Sequence, residues 1–299
     1  MFNHLVTNLI QFGVILFAIL SCQTAFAAQV GDCKQNSGYL WSSVGSASDG
    51  QSVVMVVGEI HGIRPSLNKE TLIHCWLNKF DHIILEVNEL DLDNSNLQKR
   101  PGCLTDRGER VWSTAFQLQL QAQTSRAGYV RATTLTDFIL LNPSRIGKSR
   151  IFGIEKASDQ IDLFDNLPCK VQEAFLSQTI LDLGNGVSAA QEKRILRAYD
   201  SGGLVDLEQS FSGVGTSSVC DECFEIMNER LLLNRNETFA NYIAASIQSK
   251  GGKKYSRTLV IVGIGHLLGP RSMINLLNER GFKMPKISRK NNSGLRVTR

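Results

Sequence analysis

Residues 1–27 hold no Asp, Glu, Lys or Arg, and no apolar run nearby is long enough to cross a bilayer. The run from Leu9 to Leu20 is twelve residues, too few to span a hydrocarbon core of ~30 Å as a helix. A permanent membrane span is therefore not expected. Ser21, Cys22 and Gln23 follow the run, and Ala25-Phe26-Ala27 gives the small-x-small pattern of a signal peptide cleaved after Ala27. Ile19-Leu20-Ser21-Cys22 loosely resembles a lipobox, so anchoring at Cys22 is a minor alternative to soluble export. The chain is expected to be exported, to a periplasm or to the medium.

Also missing are an internal period, coiled-coil heptads, low-complexity blocks and any Pro/Gly-rich linker. Their absence leaves a single domain, residues 28–285, as the simplest organisation. The net charge is only +4, with 20% charged residues, and much of the basic excess sits in a tail, 286–299, that contains no acid. That tail is expected to be a disordered end. Without it the body is slightly acidic, so no nucleic-acid partner is implied.

Six cysteines remain after Ala27: Cys33, Cys75, Cys103, Cys169, Cys220 and Cys223. An even number in an exported chain suggests disulfides, at least two of them, with the pairing left open. Cys220-Asp-Glu-Cys223 lacks the second Cys or His pair of a zinc site. No strand leads into it, which weighs against thioredoxin-like redox chemistry.

What is present is an alternation of short apolar runs with longer stretches of helical period, the pattern of an α/β protein. Tyr39 to Val44 and Ser52 to Val57 read as a hairpin, and Ile83 to Leu85, Arg150 to Ile154 and Thr258 to Ile264 as further strands. The continuous apolar character of Val53 to Val57 predicts a strand covered on both faces. Helices are predicted at Ser66–Phe80, at Val111–Ala127, and from Pro168 with Val171, Phe175 and Ile180 inside. Others follow a capping box at Ser188–Gln191, run unbroken from Asp221 to Ser249, and start at Pro270. The fold expected is α/β, a mixed and largely parallel central sheet flanked by helices.

The chemistry gathers at the strand ends. One strand leads to Gly58-Glu59-Ile60-His61, another ends at Glu86, a third at Glu155, and the last leads to Gly263-Ile264-Gly265-His266. Ligands bind outside the carboxyl ends of strands in open α/β sheets, so four separate strands would deliver these groups to one crevice. Glycine three residues before each histidine would allow a tight turn that aims the imidazole along the sheet edge. Two imidazoles with two carboxylates are what a divalent metal site requires, leaving one acid to activate water. Arg235 lies at helical spacing from Leu231, Phe239 and Tyr242, on the core-facing stripe, where a guanidinium needs a carboxylate such as Glu86, Glu155 or Glu59.

In ordered blocks the chain resembles the TraB/GumN/PrgY family, which includes the Tiki metalloproteases. The blocks are Leu40-Trp41, Gly58–His61, Leu85-Glu86, Gly153–Gln160 with Phe164–Pro168, Asn234-Arg235-Asn236, and Val262–Gly269 followed by Leu277 to Phe282. The resemblance implies a fold similar to erythromycin-esterase-like and haem-binding ChaN-like proteins. It places His61, Glu86, Arg235 and His266 at family motif positions and implies a metal-dependent peptidase. His61, His266 and Glu86 would be ligands to manganese, cobalt or zinc. Glu86, Glu155 and Arg235 would serve catalysis, and Glu59 and Asn236 binding. The substrate would be a peptide or small molecule. One departure is Glu59, an added acid where the family has Thr, closer to the ChaN-like and esterase-like motif. The alternative is a non-catalytic exported protein that captures a small peptide or haem-like ligand in the same cleft.

Overall fold

The structure is a computed structural model and describes residues 39–47, 52–60, 77–87, 103, 135–141, 143–147, 150–201, 203–212, 220–248 and 257–291. The signal segment, His61, Cys33, Cys75, the helix expected at 111–127 and most of that at 66–80 lie outside these residues. Two compact units emerge. One, Leu40–Pro65 with Phe80–Lys290, carries the sheet and all that follows. Of the other, only Tyr39, the 3-10 turn Leu77–Lys79 and Asn291 are described.

Six strands form one sheet: β1 Tyr39–Ser46, β2 Val53–Glu59, β3 His82–Val87, β4 Ile151–Glu155, β5 Arg257–Gly263 and β6 Ser288–Asn291. Their order is β4-β3-β5-β2-β1-β6. The hairpin is antiparallel, pairing Trp41 with Gly58 and Ser46 with Val53. β2, β5, β3 and β4 run parallel, so their carboxyl ends share one edge, with Glu59 beside Gly263 and Val87 beside Glu155. The mixed, largely parallel sheet is thus the one anticipated. The start of the basic tail, expected to be open chain, instead supplies β6 next to β1.

The β-branched runs Val54–Val57 and Leu259–Val262 are buried throughout, as central strands covered on both faces must be. The helices among the described residues are α1 Leu135–Leu141, α2 Pro143–Ile146, α3 Ala157–Asp165, α4 Cys169–Gly184, α5 Val187–Ser201, α6 Leu204–Ser212, α7 Asp221–Asn228, α8 Asn234–Gln248 and α9 Met273–Glu279. Phe239, Ala240, Ile243 and Ala244 of α8 share a core cluster with Val54, Val56, Val260 and Val262. Burial of each larger side chain contributes roughly 1.5–3 kcal/mol. Tyr199 ties α5 to the hairpin: its hydroxyl donates to the Gly58 carbonyl at 3.0 Å, and its own carbonyl accepts from Trp41 Nε1 at 2.9 Å.

Four local expectations are corrected. Ile180 of α4 is 52% exposed while Thr179 is buried, so the inward stripe lies one residue earlier. α5 begins at Val187, with the Ala190 N–H reaching the Gly186 carbonyl, which puts Ser188 inside the helix rather than at its cap. α9 starts at Met273, where the Ser272 side chain accepts from Asn275 N–H, three residues later than Pro270. The helix expected from 221 to 249 is interrupted: between α7 and α8 lies a π-helical segment, Glu229–Leu233, in which Asn234 N–H bonds the Glu229 carbonyl.

Candidate functional site

Arg235, in the first turn of α8, is the hub. Its Nε donates to Glu155 Oε1 and Oε2 at 3.0 and 3.2 Å, and its Nη2 donates to Glu155 Oε2 at 2.8 Å and to Glu86 Oε1. The bidentate grip on Glu155 uses the planar fork that a carboxylate matches. Nη1 donates to the Leu231 carbonyl at 3.1 Å, inside the π segment. π turns recur at functional positions because the added residue re-aims side chains and backbone groups. The Phe239 ring lies 5.1 Å from the guanidinium carbon, a cation–π contact. These side chains are only 12–14% exposed. Burial pulls the Arg235 pKa down, but the Glu155 hydrogen bond and the charges of Glu86 and Glu155 outweigh it and hold the pKa above its ordinary value.

Glu86 is shared. Its Oε2 accepts from Gly263 N–H at the end of β5 at 3.1 Å, and its Oε1 lies 3.6 Å from His266 Nε2. His266 sits in a 3-10 turn, Ile264–Leu267, directly after β5. Its Nδ1 is 2.6 Å from Asn236 Oδ1, while Asn236 Nδ2 donates to the Arg271 carbonyl at 2.8 Å. With the amide oriented by that carbonyl, Asn236 presents an acceptor and Nδ1 is the donor; in the neutral imidazole the lone pair is on Nε2. Two acceptors then face each other, His266 Nε2 and Glu86 Oε1.

Sequence reasoning singled out Glu86, Glu155, Arg235, Asn236 and His266, and the structure brings these five side chains together. It missed Gln160, whose Nε2 donates to Glu86 Oε1 at 3.2 Å and Glu155 Oε2 at 3.3 Å. The available signal was its place in the first turns of the helix after β4, five residues from Glu155. Glu59, proposed for binding, lies at the end of β2 and reaches α1. It is 5% exposed, and its Oε2 accepts from the N–H groups of Leu135 and Thr136 at 3.1 and 3.3 Å, capping α1. Gly58 also has another reason. A Cβ there would fall 2.3 Å from Ile264 Cδ1, so the glycine admits the turn that carries His266.

Among the described residues no three His, Cys, Asp or Glu side chains cluster tightly enough to hold a metal. His266 and Glu86 fit as two donors, and His61 follows Glu59 by two residues outside the described range. Leu231 and Leu232 of the π segment, with Phe211, Met227, Leu268 and Ile274, help line a largely apolar cavity of about 970 Å³. Disulfides join Cys103 to Cys169 and Cys220 to Cys223. None of the described helices is long and apolar enough to cross a membrane.

Fold and site define an α/β protein with an acid–Arg–His cluster at the carboxyl edge of its parallel strands. The model of the TraB/PrgY/gumN family matches residues 106–286, more than half of the chain, and the chain belongs to that family. Glu155, Arg235, Asn236 and His266 fall inside the matched span, whereas Glu59, His61 and Glu86 precede it. No curated protein and no solved structure matches the chain.

Proposed function

We propose that the chain is an exported metal-dependent hydrolase acting on peptides. The observation that carries this reading is the approach of His266 Nε2 to Glu86 Oε1 at 3.6 Å, with Nδ1 of the same ring held by Asn236. Facing lone pairs repel unless a cation or proton lies between them. A neutral imidazole whose other nitrogen is held by a neighbour is also how proteins prepare a histidine ligand. His266 and Glu86 would hold a divalent ion together with His61; manganese, cobalt and zinc are the candidates. A bound divalent ion would lower the pKa of water and polarise the scissile carbonyl.

The chain's own groups supply the rest. Glu155, gripped on both oxygens, fixes Arg235 in place, and Gln160 locks the two carboxylates relative to one another. Of the five N–H groups of a guanidinium, the one remaining on Nη1 is aimed at no described residue. It is the donor available to a developing oxyanion. Glu86, or Glu155 once released from the grip, would take the proton of the attacking water. Support for export comes from the uncharged opening with its Ala25-x-Ala27 site and from the two disulfides.

The test is a metal-supplemented peptide-library cleavage assay on the mature protein, with chelator and His266→Ala controls. Cleavage that chelator and substitution both abolish supports the reading; its absence with every metal overturns it. A second reading, capture of a small peptide or haem-like ligand without turnover, draws on the apolar cavity of about 970 Å³. Binding of library peptides that leaves them intact would favour it.

A further inference from the structure

We propose that Cys220–Cys223 is a thiol–disulfide exchange site, reacting with an external dithiol or with an exposed protein disulfide. Both cysteines pack against the cluster of Leu167, Val171 and Ala174, but they differ in exposure and in hydrogen bonding. Cys220 is the N-cap of α7, partly exposed, and its Sγ accepts the Cys223 N–H at 3.1 Å. A helix N-terminus and an N–H donor both stabilise a thiolate. Cys223 is 3% exposed and belongs to an apolar cluster with Leu167, Val171 and Ala174. Its Sγ lies 3.9 Å from the Lys170 carbonyl, an acceptor for a thiol proton. Cys220 is therefore the sulfur that an incoming thiolate can reach, and Cys223 is the buried leaving and resolving sulfur.

The bond does little for the fold. Cys103–Cys169 bridges 66 residues, whereas Cys220–Cys223 bridges 3 that a capped helix start already orders. The entropy removed from the unfolded chain grows with loop length, so the short bridge contributes the smaller share. Asp221 and Glu222 place acid between the sulfurs, partly offset by Lys170, 3.4 Å from Glu222. Lys170 and Glu222 are both exposed, so water screens this charge, and the helix N-terminus that stabilises the Cys220 thiolate makes this disulfide the readily reduced one. The sequence offers no strand leading into the motif, but the chemistry requires only the cap and the difference between the two sulfurs.

In the forward direction, a thiolate of the external dithiol attacks Cys220 Sγ. The Cys220–Cys223 bond breaks, and Cys223 leaves with the electron pair and takes up a proton. The second external thiol loses its proton and attacks the outer sulfur of the mixed disulfide, expelling Cys220. The external dithiol is oxidised to a disulfide, and the protein pair is reduced to a dithiol by two electrons with two protons. With a protein disulfide as acceptor, the same steps run in reverse.

The test uses the oxidised mature chain, titrated with dithiothreitol, alkylated and mapped by mass spectrometry. Cys220 and Cys223 should become alkylated together at a dithiothreitol concentration at least about tenfold below that opening Cys103–Cys169. Oxidised glutathione should then modify Cys220 in C223A at least about tenfold faster than Cys223 in C220A. Opening of Cys103–Cys169 first, or equal rates in the two variants, overturns the proposal. A readout independent of the variants is reduction of insulin by dithiothreitol: catalytic amounts of wild type should accelerate it, and no acceleration refutes an exchange activity.

Discussion

Replacing Arg235 by Lys separates charge from geometry at the hub of the site. The guanidinium reaches Glu155 through Nε and Nη2, Glu86 through Nη2 and the Leu231 carbonyl through Nη1. A single ammonium keeps the charge and can hold one carboxylate, but it cannot reproduce the fork. At least two charge-assisted bonds are lost, each worth about 1.5–3 kcal/mol. Some return through water, since the site is 12–14% exposed, and the net loss of stability should be about 2–4 kcal/mol. Arg235→Met should cost more, about 3–5 kcal/mol or above, because both carboxylates are then left uncompensated. The guanidinium's raised pKa fixes the sign of its pH dependence. Its stabilisation is fully present below the ordinary arginine pKa and is lost only as pH rises through the still higher folded value. Urea unfolding of wild type and both variants measures these losses. A loss below about 0.5 kcal/mol for Arg235→Lys would refute the reasoning, since surface changes alone reach that size.

Other expectations follow from single contacts. Asn236→Ala removes the group that fixes the His266 tautomer and should weaken divalent-metal affinity by about 10–100-fold in a calorimetric titration with the fold intact. Glu59→Gln weakens the cap on α1 and should lower stability by about 0.5–2 kcal/mol in thermal unfolding, while leaving metal affinity unchanged. Cys103→Ser opens the 66-residue bridge and should lower the unfolding free energy in urea by about 4 kcal/mol.

Most of the sheet was legible because its central strands are buried on both faces and therefore read as unbroken β-branched runs. The strand-end logic found Glu86, Glu155 and His266 for the same reason: parallel strands force their carboxyl ends to one edge. Arg235 was legible from its helical spacing, since a guanidinium on an apolar stripe needs an acid. What escaped depended on contacts between distant segments. Glu59 shares its strand end with the others, but the start of α1, 76 residues later, captures its carboxylate. The π segment hides in a sequence with good helical period, because composition is the same whether an N–H bonds the fourth or the fifth residue before it. Gln160 is an ordinary polar residue until β3 and β4 bring two carboxylates beside it. Ile180 faces water although its spacing fits the inward stripe, and the structure gives no physical reason for that exposure.

The central claim is that His266 and Glu86 present donors to a divalent ion, and calorimetric titration of metal-stripped mature protein tests it most directly. Manganese, cobalt and zinc would be titrated into wild type, His266→Ala and Glu86→Gln. The account predicts about one ion bound per chain by wild type and at least about tenfold weaker binding by either variant. Wild type that binds no ion more tightly than His266→Ala would contradict it.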